Sequence, residues 1–138
     1  MVSNKFYAVV AGIGPGTGRS VAIRFAEAYP VVLLARRPES YNDVVAEINK
    51  AGGKAIGIAA DATNESDLKT IFETIDKELL GLKLAAAVYN VRPGLRPSRK
   101  PFLELKLEDL DTSLHGNMYG SSRCPVSVPC VTNKPSSN

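Results

Sequence analysis

The segment that most constrains this chain is the glycine-rich run Ala11-Gly12-Ile13-Gly14-Pro15-Gly16-Thr17-Gly18. It joins an apolar segment, residues 6–11, to a helical pattern that begins at Arg19. A strand that leads through such a turn into a helix brings backbone N–H groups and the positive end of the helix dipole to one place. The run therefore predicts a binding site for the phosphate of a nucleotide. A glycine-rich turn that binds no ligand is the alternative.

The composition is that of a globular chain with one domain. The 138 residues are 44% hydrophobic, which is enough to build a core. The net charge of +3 comes from Lys and Arg spread along the chain, with no basic run that would indicate a nucleic-acid arm. No apolar stretch reaches the roughly 18 residues of a membrane helix, and no signal-peptide pattern is present at the N-terminus. We therefore expect a cytoplasmic protein that binds neither nucleic acid nor membrane.

The two cysteines do not indicate a metal site or a disulfide framework. Cys124 and Cys130 have no second cysteine pair and no histidine beside them, whereas a structural zinc site needs four Cys or His ligands. We expect free thiols and no bound metal.

Strand-like and helix-like segments alternate along the chain. Four short apolar runs are typical of buried strands, and they are residues 6–11, 31–35, 55–59 and 84–89. Apolar residues recur at helical spacing between these runs, and Pro30 and Gly52-Gly53 are expected to end the first two helices. Parallel strands need crossover helices, and right-handed crossovers cover both faces of the sheet. We expect an α/β fold of three layers, a doubly wound parallel sheet of the Rossmann-like type.

The predicted strand ends locate a ligand site. In such sheets a ligand binds outside the carboxyl ends of the strands, where the strand order reverses, here beside the first strand. Gly12, Arg36, Asp61 and Asn90 each follow a predicted strand. We expect these residues to meet at one edge of the sheet.

The spacing of the glycines distinguishes between nucleotide-binding folds. The sequence does not match the phosphate-loop motif of nucleoside triphosphatases at two positions, because Ile13 and Arg19 stand where that motif has Gly and Lys. The common fingerprint Gly-x-Gly-x-x-Gly also fails at its third glycine. What fits is Gly12, three residues, Gly16, one residue and Gly18. In this spacing the chain resembles the short-chain dehydrogenase/reductase family, and the resemblance extends from about residue 5 to about residue 120.

The resemblance implies a dinucleotide cofactor. The turn would hold it through Gly12, Gly14, Gly16, Thr17 and Gly18. In this family an acid at the end of the second strand bonds the ribose of NAD, whereas arginine there favours the 2′-phosphate of NADP. Ala35 stands in the place of the acid, and Arg36 and Arg37 follow it. Because a guanidinium suits a bidentate phosphate contact, we expect NADP(H) rather than NAD; two solvated surface arginines are the alternative.

Two further matches follow the third and fourth strands. The resemblance implies that Asp61, with Ala62 beside it, accepts a hydrogen bond from the adenine amino group. Tyr89-Asn90-Val91-Arg92 stands where the family carries Asn-Asn-Ala-Gly, so that Asn90 alone is retained. Ala11 likewise replaces the usual Thr, whose hydroxyl ties the first turn to this segment. We therefore expect the wall of the cofactor site at this point to differ from that of other family members.

A last helical pattern carries the one candidate catalytic residue. Leu107, Leu110 and Leu114 share a helix face. The run from residue 114 to 120 resembles the family helix that bears the catalytic Asn, which implies that Asn117 holds a water in a proton relay. His115 matches no family role, and we expect it to be an ordinary, partly exposed side chain.

The family pattern stops after Gly120. Prolines and serines replace periodicity from Ser121 onward, which predicts a partial dinucleotide-binding domain at 1–120 and an irregular tail at 121–138. The family would continue with a catalytic Ser and a Tyr-x-x-x-Lys pair, which this sequence lacks, and without that pair there is no general acid. We expect a truncated family member with a sheet that is incomplete in its C-terminal half, and our hypothesis for its origin is a shifted reading frame or alternative splicing.

Two classes of function follow from these patterns. The first is an NADP(H)-dependent oxidoreductase of a carbonyl or secondary alcohol, its substrate unknown and this chain inactive or nearly so. The second is a non-catalytic dinucleotide-binding or regulatory module. We also expect the fourth strand to be an open apolar edge, which favours low stability or aggregation over a regular oligomer.

Overall fold

The computed structural model describes residues 2–91, 104 and 106–119. The strands of this part are β1 Phe6–Ala11, β2 Val31–Ala35, β3 Ala55–Ala59 and β4 Lys83–Tyr89. Its helices are α1 Thr17–Ala26, α2 Asn42–Lys50, α3 Glu65–Glu78 and α4 Leu107–Leu114, with a 3-10 turn at Pro38–Ser40 and a π-helical turn at His115–Tyr119. The predicted tail at 121–138, with its two cysteines, and Arg92 lie outside the described residues.

The strands form one parallel sheet. Its order is β3-β2-β1-β4, so the order reverses between β1 and β4. Ala11 at the end of β1 pairs with Leu34 of β2 and with Tyr89 of β4, which brings the carboxyl ends to one level. The predicted α/β fold with a doubly wound parallel sheet is confirmed.

Helices cover both faces of the sheet because the strands are apolar on both sides. Val9 and Leu34 pack with the apolar face of α3, whereas their neighbours Val10 and Leu33 pack with α1 and α2. All four of these strand residues are at most 1% exposed. Each such side chain stabilises the fold by about 1.5–3 kcal/mol through removal from water. The core therefore consists of two apolar clusters, one on each face of the sheet.

The ends of the first helix differ from the prediction. The helix begins at Thr17, two residues before Arg19, and ends at Ala26, well before Pro30. The N–H groups of Ala28 and Tyr29 both donate to Phe25 O, at 3.0 and 2.9 Å, and form a turn between the helix and Pro30. The carbonyl of Pro30 already accepts from Ala8 N at 2.9 Å. The expectation that Pro30 ends the helix is therefore wrong, because Pro30 leads into β2.

The two long turns on either side of β3 follow the sequence pattern. Gly52 adopts a φ of +87° directly after α2, a conformation that L side chains rarely adopt. The Asn64 side chain accepts from Ser66 N at 2.9 Å and caps α3. These turns set the points where β3 and α3 begin.

The final helix packs less fully than the other three. Leu107 and Leu110 of α4 are 76% and 54% exposed, and no residue of α4 belongs to the buried core. The hydroxyl of Tyr89 donates to Gly116 O at 2.8 Å and joins the π-helical turn to the end of β4. The segment 106–119 thus lies across the carboxyl end of the sheet.

Candidate functional site

A cleft of about 920 Å³ opens at the carboxyl ends of the strands. This volume is at the upper end of the roughly 300–1,000 Å³ that is typical of small-molecule sites. It includes the point between β1 and β4 where the strand order reverses. Ten residues that the sequence indicated for a cofactor line this one cleft, namely Gly12, Gly14, Gly16, Thr17, Gly18, Arg36, Arg37, Asp61, Ala62 and Asn90.

The glycines of the first turn have two different surroundings. A Cβ on Gly12, whose φ is +89°, would lie 2.3 Å from Asn90 O, and a Cβ on Gly18 would lie 2.5 Å from Gly12 O. Nothing lies within 4 Å of the corresponding positions on Gly14 and Gly16. Gly12 and Gly18 are therefore required for packing, whereas Gly14 and Gly16 leave the cleft open.

The N-terminus of α1 contributes backbone N–H groups to this space. The first N–H groups of a helix have no intrahelical acceptor. Gly16 at the N-cap position gives no side-chain cap, and the first turn contains no acidic residue. Thr17 and Gly18 of this first turn line the cleft. Because the helix dipole places partial positive charge at the same point, this part of the cleft favours an anion.

Asn90 connects the end of β4 to the glycine turn. Its backbone N–H donates to Ala11 O at 2.8 Å, and its Nδ2 donates to Gly12 O at 3.0 Å. Ala11 has no side-chain hydroxyl that could form a similar hydrogen bond. In this chain the Asn90 side chain makes the link that holds the turn against β4.

Two arginines form the wall that follows β2. The side chains of Arg36 and Arg37 are exposed, and neither forms an ion pair with a carboxylate in the described part of the chain. Arg19, by contrast, is paired with Glu47 on the outer surface of α1 and α2. The wall after β2 therefore presents two positive charges to the cleft.

Asp61 is held in a fixed orientation at the end of β3. Its Oδ1 accepts from Thr63 N at 2.9 Å and from Thr63 Oγ1 at 2.7 Å. The backbone N–H of Asp61 donates to Asp67 Oδ2 at 3.0 Å. Its other carboxylate oxygen has no hydrogen-bond partner within residues 2–91 and 106–119. That oxygen can accept a hydrogen bond from a ligand.

The fourth wall comes from α4 and the π-helical turn. Asp111, Thr112, His115 and Gly116 line the cleft, whereas Asn117 does not. Asn117 is exposed, and its Nδ2 donates to Ser113 Oγ at 3.3 Å. The structure thus brings the ten cofactor candidates together and leaves the catalytic candidate outside the cleft.

Sequence reasoning missed several residues of this cleft. They are Ser40, Thr63, Asp111, Thr112, His115 and Gly116. The helical spacing of residues 111, 112 and 115 places them on one face, which is the one signal that could have found them. Ser40 has no such signal, since its position depends on a 3-10 turn that periodicity does not reveal.

Two other kinds of site, a metal centre and a membrane-spanning helix, have no counterpart among the described residues. Within the described ranges no three His, Cys, Asp or Glu side chains converge as they would around a metal ion. None of the described helices has the length and apolar character needed to cross a bilayer.

Comparisons with known proteins agree with this geometry. The sequence profile of the short chain dehydrogenases matches residues 7–129. The chain is 28% identical over 123 residues to dehydrogenase/reductase SDR family member 1 of Mus musculus, covering 86% of this chain and 39% of that protein. It is 35% identical over 117 residues to a 3beta-hydroxysteroid dehydrogenase of Mediterraneibacter gnavus, covering 84% and 41%.

The structural comparison gives the same family. A hydroxysteroid dehydrogenase from Escherichia coli superposes with a TM-score of 0.77 at 28% identity, covering 90% of this chain and 50% of that one. This chain spans about two fifths of the length of the two curated relatives and half of the solved chain. Since the profile covers most of the chain and the fold and glycine turn agree with it, the chain belongs to the short-chain dehydrogenase family.

Proposed function

We propose that this chain is the NADP(H)-binding part of an oxidoreductase that acts on a carbonyl or a secondary alcohol. Short-chain dehydrogenases are oxidoreductases that use a nicotinamide dinucleotide. The observation that carries the proposal is one cleft in which three features converge: the glycine turn, two arginines without an ion-pair partner among the described residues, and an oriented carboxylate. We propose that the cofactor lies across the end of the sheet, where the strand order reverses.

The residues present fit a dinucleotide. The uncapped N-terminus of α1 offers N–H donors to the pyrophosphate, and Gly14 and Gly16 leave room for it. The unpaired oxygen of Asp61 would accept from the adenine amino group. Asn90 holds the turn in place beside the cofactor. When bound, the nicotinamide supplies hydride transfer.

The wall after β2 favours the phosphorylated cofactor. Ala35 offers no carboxylate to the ribose hydroxyls of NAD, and Arg36 and Arg37 are both exposed without an ion-pair partner among the described residues. A guanidinium forms charge-assisted hydrogen bonds with a phosphate that are about twice as strong as neutral ones. The 2′-phosphate of NADP(H) would therefore gain contacts that NAD(H) lacks.

Replacing Arg36 by Asp tests the cofactor assignment. We expect the Kd for NADPH to rise at least tenfold and the Kd for NADH to stay the same or fall, because the added carboxylate repels the 2′-phosphate and can accept from a ribose hydroxyl. Cofactor fluorescence titration measures both constants. Lys69→Asp on the exposed surface of α3 makes the same change of charge outside the cleft and is the control. An unchanged ratio of the two constants in Arg36→Asp would refute the assignment.

A non-catalytic role for this chain is the second candidate function. The observation that favours it is the position of Asn117, the one candidate catalytic residue, which does not line the cleft. We propose that the chain binds NADPH but does not oxidise it. Incubation with NADPH and a panel of aldehydes and ketones tests this, and consumption of NADPH that depends on a carbonyl compound would show that the chain is itself an enzyme.

A further inference from the structure

We infer that Ser40 is a specificity-determining residue that donates a hydrogen bond to the 2′-phosphate of the cofactor. This inference rests on the proposed NADP(H) function and extends it to a residue that the sequence pattern does not indicate. Ser40 lines the same cleft as Arg36 and Arg37. The three side chains together would surround one phosphate.

The 3-10 turn after β2 brings Ser40 back to the arginine wall. Pro38 starts this turn with a fixed φ. Ser40 N then donates to Arg37 O at 3.1 Å, and Tyr41 N donates to Pro38 O at 3.0 Å. Two hydrogen bonds and a proline ring therefore fix the position of Ser40 relative to the arginines.

The residue after Ser40 anchors this turn in the core. Tyr41 is 7% exposed and packs with α2 and the strands. A Cβ on Gly57 of β3 would lie 2.2 Å from the Tyr41 ring, which shows how closely the ring rests on the strand. Ser40 is thus attached to a rigid residue, whereas Arg36 and Arg37 have long side chains that are exposed.

The surroundings of Ser40 leave its hydroxyl available to a ligand. The residue is half-buried, and its hydroxyl makes no hydrogen bond to another described residue. A hydroxyl in a cleft gains most from a charged acceptor, because hydrogen bonds to ionised groups are shorter and stronger than neutral ones. A phosphate held by two guanidinium groups beside it is such an acceptor, and the ribose hydroxyl of NAD(H) is a weaker one.

Two small ligands separate the contact of Ser40 with the 2′-phosphate from the other contacts of the cofactor. Adenosine 2′,5′-bisphosphate and AMP differ only by the 2′-phosphate, so their Kd values for the 138-residue chain, measured by calorimetry, report that group alone. We expect Ser40→Ala to weaken the bisphosphate about tenfold and to leave AMP within about twofold. Ser40→Thr keeps a hydroxyl and should restore the preference. Thr74→Ala removes an exposed hydroxyl from α3 outside the cleft and is the control.

Each outcome supports or overturns a stated part of the proposal. Loss of affinity for both ligands in Ser40→Ala would show a structural role and overturn the inference. An unchanged preference in Ser40→Ala, with the preference lost in Arg36→Asp, would overturn the inference and leave the proposed function intact. A wild-type chain that does not prefer the bisphosphate to AMP would overturn both.

Discussion

Glycines that look equivalent in the sequence have different structural roles in this turn. The pattern of four glycines within seven residues predicts a phosphate-binding turn, but it does not show which of them are needed for folding. That distinction depends on Asn90, which is 78 residues from Gly12 in sequence and in contact with it in the fold. Gly12 and Gly18 are confined by backbone atoms, and Gly14 and Gly16 face open space.

We expect Gly12→Ala to destabilise the fold by about 2–3 kcal/mol or more, because it forces a residue with Cβ to a φ of +89° and against Asn90 O. Gly14→Ala is the matched variant, and its free energy of unfolding should change by less than about 1 kcal/mol because its Cβ meets nothing within 4 Å. Urea denaturation measures both values. Equal destabilisation by the two variants would contradict this assignment of roles.

The carboxylate of Asp61, which the sequence indicated as a ligand contact, is oriented by neighbouring residues in the structure. Both hydrogen bonds from Thr63 reach one oxygen of Asp61. The sequence could predict that this residue follows a strand, but it could not predict which oxygen remains open, since that depends on the local turn.

At the scale of elements, buried strands were easier to predict than helix ends. β1, β2 and β3 have the predicted bounds, and β4 begins one residue earlier, at Lys83. Continuous apolar runs define a strand that is buried on both faces. The 3-10 turn at Pro38–Ser40 and the π-helical turn at His115–Tyr119 leave no such pattern. Three walls of the cleft follow strand ends and were predicted, whereas the fourth depends on how α4 packs.

The contact between β4 and the π-helical turn shapes that fourth wall. Tyr89 stands where the family resemblance would place Asn, and its hydroxyl donates to the carbonyl of Gly116, which is buried. His115 and Gly116 both line the cleft. The bond therefore ties a cleft wall to the strand that also carries Asn90.

Tyr89→Phe should loosen this wall without unfolding the sheet. Loss of one hydrogen bond costs about 1 kcal/mol, so we expect a small loss of stability, faster amide hydrogen exchange in residues 106–119 and weaker NADPH binding by a few fold. Tyr29→Phe removes a hydroxyl outside the cleft from a ring that packs on Phe25 with centroids 6.3 Å apart, and it is the control. Unchanged exchange in residues 106–119 would show that other contacts hold the wall.

At the scale of the whole molecule, one buried tyrosine couples stability to pH. Tyr7 is 4% exposed in the core beneath α3. Burial, and secondarily the negative charge of Asp76, raise the pKa of the Tyr7 hydroxyl above its ordinary value. The unfolded chain then releases this proton at lower pH than the folded chain does. The contribution of Tyr7 to stability is complete below a pH of about 10 and is lost as the pH rises through the folded pKa.

Tyr7→Phe should remove the part of the loss of stability at high pH that comes from ionisation of Tyr7. We expect the free energy of unfolding to fall less steeply above a pH of about 10 in the variant than in the wild-type chain. Urea denaturation of both chains at a series of pH values tests this, since the other tyrosines and the lysines are common to both. Parallel curves for the two chains would contradict the coupling.

The described sheet also has an exposed edge. β4 is its last strand, and no described residue pairs with its outer side. Residues 84–89 carry no charge, and Ala85 and Ala87 are exposed. Ala85 falls at a register shift against β1, because Tyr7 pairs with Leu84 and Ala8 with Ala86. A bulge protects an edge locally, but the remainder of β4 stays free to pair with another chain.

We expect the 138-residue chain to self-associate through β4, because an uncharged edge offers unpaired N–H and C=O groups to a second strand. Ala87→Lys places a charge on that strand and should shift the chain toward monomer in sedimentation experiments over a range of concentrations. Ala51→Lys makes the same change at an exposed residue after α2, away from the edge, and should associate as the wild-type chain does. A wild-type chain that stays monomeric and unfolds in one cooperative transition would show that the edge is already protected.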